Sequence, residues 1–378
     1  MAQQKKRLQI FIIFLLFIAY FIIASRPIHR ETVLAPGWLS SLEESSSPVS
    51  LGAAQQTQDG LFPFTLGSHF GYVNAAGSFT INNIKKGGIY LSENLWTEYG
   101  AEPEIIEIKD KNAQTAVKIE NPRGYPILLD ERVFILGSEQ NALSEINKDG
   151  NVIWTYEFGS PLTCIDAAGG LVLTGSIDGV VEILDTEGKR VFYFEPGGSR
   201  FSVILGCAVS RNGSRIGIIS GIDQQRFLLL ERFGNGSDYK VIYHEFLSDG
   251  FRRPVLISFT DEDSRVVFER AEGLGCYNIK SRQGFSIPLD GEIEAVDNSG
   301  DNGFFFLISA RSNKRKELIG IRFSQDKRLA ASKFRGDING VIFMKAPFNS
   351  DNVFLGRNDR MIIAGGGKKL ISFVMEEK

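Results

Sequence analysis

Residues 175–197 read GSIDGVVEILDTEGKRVFYFEPG, and 38 residues earlier positions 137–159 read GSEQNALSEINKDGNVIWTYEFG. Gly137, Ser138, Gly150, Glu157 and Gly159 recur as Gly175, Ser176, Gly188, Glu195 and Gly197. Types agree between them as well: Leu143 stands over Val181, Ile146 over Leu184, Asn147 over Asp185, Trp154 over Phe192 and Tyr156 over Phe194. The shared positions are turn glycines, apolar strand positions and one strand-end glutamate. The charges between them vary, as in Lys189 over Asn151 and Arg190 over Val152. Such a pattern repeats a building unit. In the second copy Leu162–Asp166, Leu171–Thr174, Val180–Asp185 and Arg190–Glu195 read as four strands. Gly169-Gly170, Asp178-Gly179 and Glu187-Gly188 supply the turns, where glycine tolerates positive φ.

The rhythm continues toward the C-terminus. Hairpins are predicted at 224–246, 275–289, 316–334 and 360–375. Each has a pair of short strands before it: VILGCAVS/SRIGIIS, VLISFT/RVVFER, EIEAV/GFFFLIS and GVIFMK/NVFLG. Residues 61–115 form the least regular unit. Units of about 45 residues divide the span from 61 onward into seven, the size of four-stranded propeller blades. Closing such an array into a ring removes its exposed edges. The expected fold is all-β: a β-propeller of seven four-stranded blades, preceded by one N-terminal transmembrane helix.

That helix is read from Lys5, Lys6 and Arg7 standing before an uncharged run, Leu8 to Ser25. Eighteen helical residues span about 27 Å, close to the hydrocarbon thickness of a bilayer. Ile22 and Ile23 stand where a cleavage site needs a small residue, and no cysteine follows the run for lipidation. The expected organisation is a cytoplasmic basic stub (1–7), a signal anchor (8–25), a flexible linker (26–60) and a propeller (61–378). The basic residues place the N-terminus in the cytoplasm and the propeller on the periplasmic side of the cytoplasmic (inner) membrane. Residues 26–60 are rich in Ser, Pro, Gln and small residues, a tether composition. Trp38 and Leu39 stand out in it, as incidental hydrophobes or a short docking element.

Composition excludes several classes. Forty-two Lys and Arg against 45 Asp and Glu give a net charge of −3 without a single-sign block, which argues against a nucleic-acid binder. Twenty-nine Phe and 40 Gly suit short aromatic-rich strands between tight turns. Cys164, Cys207 and Cys276 are far apart and odd in number, so they read as buried strand residues and not as a disulfide framework. Three histidines leave little for zinc.

The turns Asn147-Lys148-Asp149-Gly150 and Asp185-Thr186-Glu187-Gly188, followed by Trp154 and Phe192, resemble the repeat of quinoprotein-like propellers. The likeness is close over 137–197 and architectural beyond it. WD-type propellers are a neighbouring family, although the chain has no Trp-Asp dipeptide. The general plan is similar to the outer-membrane assembly lipoproteins of the BamB type, from which the chain departs in lacking a lipidated cysteine. The quinoprotein resemblance implies an oxidoreductase with a quinone cofactor, a calcium ion, a carboxylate base and flanking aromatics. The candidate carboxylates are Asp166, Asp185, Glu195 and Glu245, each also explained by a strand end or turn. Glu157, Glu195 and Glu245 recur at one place in three units, whereas a catalytic base is needed once. The expectation is therefore no catalytic, cofactor-binding or metal residue.

Other motifs read plainly. DNSGDNG (297–303), with Asp297, Ser299 and Asp301 at alternate positions, is a turn whose glycine falls late for a calcium loop. His244 takes the place of Tyr156 and Phe194 and reads as a packed histidine. Arg311, Lys314, Arg315 and Lys316, and the smaller RRP at 252–254, read as solvated loops or contacts for an anionic surface. AGGGKK (364–369) is a turn and not a phosphate loop. The expected function is a membrane-anchored, extracytoplasmic, non-catalytic scaffold for protein partners in the envelope. It would contact the bilayer through 8–25 and bind no nucleic acid. The alternative is a quinone-dependent oxidoreductase or ligand sensor using the central channel.

Overall fold

A computed structural model describes Phe14, Leu15, Phe17, Tyr20 and residues 32–43, 48–51, 60–234, 238–248, 250–260, 262–297, 303–311, 314–323, 340–358 and 360–377. The chain falls into two compact units, Pro36–Val374 and a smaller one of Met1–Ala35 with Met375–Lys378. In the smaller unit Phe14, Leu15, Phe17 and Tyr20 are exposed.

The larger unit is a ring of antiparallel sheets, all but the last built of consecutive strands. Blade one has three strands, Leu61–Leu66, His69–Asn74 and Phe79–Ile84. Blade two runs from Gly88–Leu91 to Thr115–Glu120, and blade three from Gly124–Leu129 to Val152–Glu157. Blade four comprises Leu162–Ala168, Leu171–Ser176, Val181–Leu184 and Arg190–Phe194. Blade five runs from Ile204–Val209 to Tyr239–Phe246, blade six from Ile257–Thr260 to Gln283–Pro288, and blade seven from Glu292–Val296 to Gly340–Asn349. Blade eight joins Val353–Asn358, Met361–Gly366 and Lys369–Glu377 to the N-terminal strand Thr32–Ser41, on which Val49–Ser50 pairs as a fifth strand. The innermost strand of blade one contacts that of blade eight, which closes the ring.

Eight blades correct the expected seven. The 38-residue offset of the opening pair is the better ruler, since it divides 61–378 into about eight. Residues 61–115, counted as one unit, hold a three-stranded blade and most of the next. The hairpin expected at 316–334 is also corrected. Arg315–Phe323 pairs instead with Gly340–Asn349, Leu318 opposite Ala346, so GVIFMK ends blade seven and NVFLG begins blade eight. The N-terminal transmembrane helix is corrected with the count. Among the described residues no helix is long and apolar enough to cross a membrane, and most of 8–25 lies outside them.

The repeated turn acts between blades. Asn74, Asp110, Asn147 and Asp185 each accept, at one side-chain oxygen, the backbone N–H groups two and four residues on, at 2.8–3.0 Å. Three residues past Asp185, Gly188 has φ +74°, and a Cβ there would lie 2.5 Å from the Trp154 ring on the outer strand of blade three. Gly77 of blade one has φ +85° and lands in the same way on Trp38, 2.6 Å from its ring. Trp38 therefore does for blade eight what Trp154 does for blade three. It is 2% exposed, and its indole N–H donates to the Ala75 carbonyl at 2.8 Å. Its backbone N–H donates to Ser372 Oγ at 2.9 Å. Within the expected linker, 32–41 is thus a strand, and Trp38 is a core residue.

The apolar cores lie between blades. Each hydrophobic cluster draws on adjacent blades, as when Phe227 of blade five stacks on Phe268 of blade six at 4.2 Å. Between blades seven and eight an ion pair is buried as well, Arg357 Nη1 to Asp297 Oδ2 at 2.9 Å.

Candidate functional site

The four candidate carboxylates are scattered and occupied. Asp166 lies on the inner strand of blade four and accepts Val209 N–H of blade five at 2.8 Å and Ala167 N–H at 2.9 Å. Burial raises its pKa despite those two amides. Asp185 belongs to its turn. Glu195 is exposed beside the Tyr193 hydroxyl. Glu245 accepts from Arg270 at 3.1 Å and from the Tyr243 hydroxyl at 2.5 Å. Among the described residues no group of three His, Cys, Asp or Glu side chains is placed to hold a metal ion. The described side chains do not fit the calcium and base set that a quinone cofactor would need.

Other motifs settle into the framework. Asp297 is occupied by Arg357, and 298–302 lies outside the described residues. Lys316 is buried against Glu294, and Arg311 bridges Asp290 at 2.9 Å and Glu317 at 3.1 Å. Arg253 pairs with Glu269 at 2.7 Å. His244 is exposed, which corrects the packed reading. The register shift at Leu229/Leu230 matches those at Glu145/Ile146 and Ile183/Leu184, so Tyr243 takes the place of Trp154 and Phe192 and packs on Phe227 and Tyr277. The glycine run at 364–369 is the turn between Met361–Gly366 and Lys369–Glu377.

A pocket lies on blade four, lined in part by the opening stretch. It holds about 200 Å³ between the link Phe158–Ser160 and the strands of that blade. Glu182 lines it and is 6% exposed. Its Oε1 accepts from Arg190 Nη1 at 2.7 Å and from the Tyr156 hydroxyl at 3.2 Å. Arg190 is half exposed and lies 5.2 Å from the centre of the Tyr193 ring. Burial pushes the Tyr156 hydroxyl pKa up, and Glu182 adds to the rise. Asp178 receives the Ser176 hydroxyl at 2.5 Å and the Ser160 hydroxyl. Burial works to raise Asp178, but these hydroxyls and the backbone amides of 178 and 180 outweigh it and hold it below the usual carboxylate range.

Strand register shows what distinguishes this blade from its copy. Glu182 faces Tyr193 across the ladder, where blade three has Ser144 facing Thr155 with hydroxyls 2.8 Å apart. Asp178, Thr174 and Arg190 replace Gln140, Leu136 and Val152. The polar lining thus sits where the two repeats part. Comparison of the copies contained this signal, although it first reads as free surface variation.

A family model described as β-propeller protein matches residues 1–377. The chain belongs to this β-propeller family. A protein of Treponema pallidum (strain Nichols), described only as uncharacterized, is 26% identical over 285 residues, which are 74% of each chain. Among solved structures, the propeller resembles the computationally designed Ika8 protein, with a TM-score of 0.58 at 12% identity over 84% of this chain and 97% of that one. It also resembles BamB from Moraxella catarrhalis, with a TM-score of 0.53 at 12% identity over 90% of this chain and all of that one. At such identities the likeness concerns the fold. The quinoprotein-type and WD-type labels find no support beyond it.

Proposed function

We propose that the propeller is a non-catalytic scaffold that holds partner proteins on the extracytoplasmic side of the cell envelope. The observation that carries this reading is the rim of blades three to five. Their outermost strands expose Val152, Ile153, Tyr193, Val241, Ile242 and Phe246, with Val152 and Phe246 each 57% exposed. Among the described residues the outer strands of blades two and six carry no exposed large hydrophobic. Each outer strand of blades three to five pairs on one side only. An extended segment of a partner can add to such an edge, with backbone hydrogen bonds for affinity and apolar side chains for selection. Blade eight already carries a fifth strand of this kind in Val49–Ser50. The similarity to BamB in fold is compatible with such a role. Export is supported by the uncharged apolar run of 8–25 behind Lys5, Lys6 and Arg7.

Two experiments test the reading. A periplasm-active reporter fused after Lys378 should be active, and activity of a cytoplasmic reporter alone would place the propeller on the wrong side. The purified chain mixed with a quinone cofactor and calcium should give no saturable absorbance change and no dye-linked oxidation. Saturable binding with turnover would replace the scaffold by an oxidoreductase.

A further inference from the structure

We propose that the pocket on blade four receives the lysine or arginine side chain of an extended partner segment. The proposal rests on the scaffold reading for its partner and on the pocket's own chemistry for its ligand.

Two carboxylates and one guanidinium line the pocket, which leaves it one negative charge. The guanidinium of Arg190 is the more exposed member, since its side chain is 48% exposed, although Glu182, the Tyr156 hydroxyl and the Tyr193 ring hold it. Glu182 is fixed, buried on the third strand of the blade with Tyr156 donating to it from blade three. A buried carboxylate whose one charged partner is a half-solvated arginine offers an incoming cation an exchange of partners. Asp178, on the turn before that strand, adds a second acceptor already oriented by the Ser176 and Ser160 hydroxyls.

The walls fit the rest of a basic side chain. Phe158 and Leu162 are each 7% exposed and, with Val180, give the pocket its apolar lining. Lys and Arg join an aliphatic stem to a charged head, so the stem can lie on apolar surface while the head reaches the acids. An acidic ligand would bring its charge beside Asp178 and Glu182, a like-charge contact that disfavours it. None of the charged members belongs to the blade design, because Ser144, Gln140 and Val152 occupy their places in blade three. The outer strand Arg190–Phe194, which supplies Arg190 and Tyr193, is the edge that a partner strand would meet.

The test uses the purified full chain and four probes: the N-acetyl amides of lysine, arginine, norleucine and glutamate, titrated by calorimetry. Lysine and arginine amides should bind, and the other two should not. Asp178→Asn and Glu182→Gln should each weaken the cationic probes by about tenfold or more, the loss of one charge-assisted contact. Arg190→Met should tighten them several-fold, because it removes the resident cation. Melting of each variant is followed alongside; if Glu182→Gln fails to fold, Asp178→Asn and Arg190→Met still decide the matter. Binding of the glutamate probe, abolished by Arg190→Met, would overturn the proposal in favour of an anion site. Binding of none of the probes would overturn it too. Partner cross-links from the rim would then still stand for the scaffold reading, and their absence beside firm lysine binding would remove that reading and leave the pocket.

Discussion

Asp166 sits where two blades meet, and both its oxygens are taken by backbone amides, one from each blade. Burial still raises its pKa, so the folded chain binds its proton more tightly than the unfolded chain. Its contribution to stability is therefore full below the ordinary carboxylate value of about 3.9 and is lost as pH rises through the higher folded value. Asp166→Asn puts a donor against one of the two amides and should cost about 1–3 kcal/mol near pH 7. It should also flatten that acid-side slope in urea denaturation run across pH. An unchanged slope would assign it to other groups. The thiols give a second check. Its hydrogen bond with Cys164 and then burial push Cys207 up, and burial pushes Cys276 up. Thiolate is the reactive form, so iodoacetamide at pH 8 should reach the partly exposed Cys164 first. Intact mass should show Cys207 and Cys276 modified only after unfolding.

Among the elements, what could be read in the sequence is what depends on near neighbours. The four strands of blade four and the turns at Asn147 and Asp185 follow from local alternation and from side chains that bond amides two and four residues on. The closing strand could not be read this way, because the strand that ties it into the ring is more than 300 residues away, with Trp38 N–H meeting Ser372. Its one local mark was a tryptophan in a polar stretch, a position explained only when Gly77 is seen to land on it as Gly188 lands on Trp154. The pocket was half legible. The substitutions that build it are plain in the repeat, but their convergence on one cavity needs the register that sets Glu182 opposite Tyr193. If the closing strand is an integral part of blade eight, Trp38→Ala should cost about 3–5 kcal/mol, the usual loss for a buried large aromatic. Guanidinium melts measure this directly. A change below about 1 kcal/mol would mean that the strand only rests on the ring.

At the scale of the molecule, the chain uses its repeats to make a closed body and its departures from repetition to make surfaces. Cores between blades, the buried Asp297–Arg357 pair and the N-terminal strand account for the closure. The exposed apolar strands of blades three to five and the blade-four pocket fall on one run of successive blades. The central claim is that this run is where partner proteins are held. It is tested most directly by a photo-cross-linking amino acid placed at Ile242 on the outer strand of blade five, with a matched probe at Ser286 on that of blade six, in intact cells. The account predicts a discrete protein adduct from Ile242 and none from Ser286. Equal labelling from both positions, or none from Ile242 in a chain shown to be folded and exported, would contradict it.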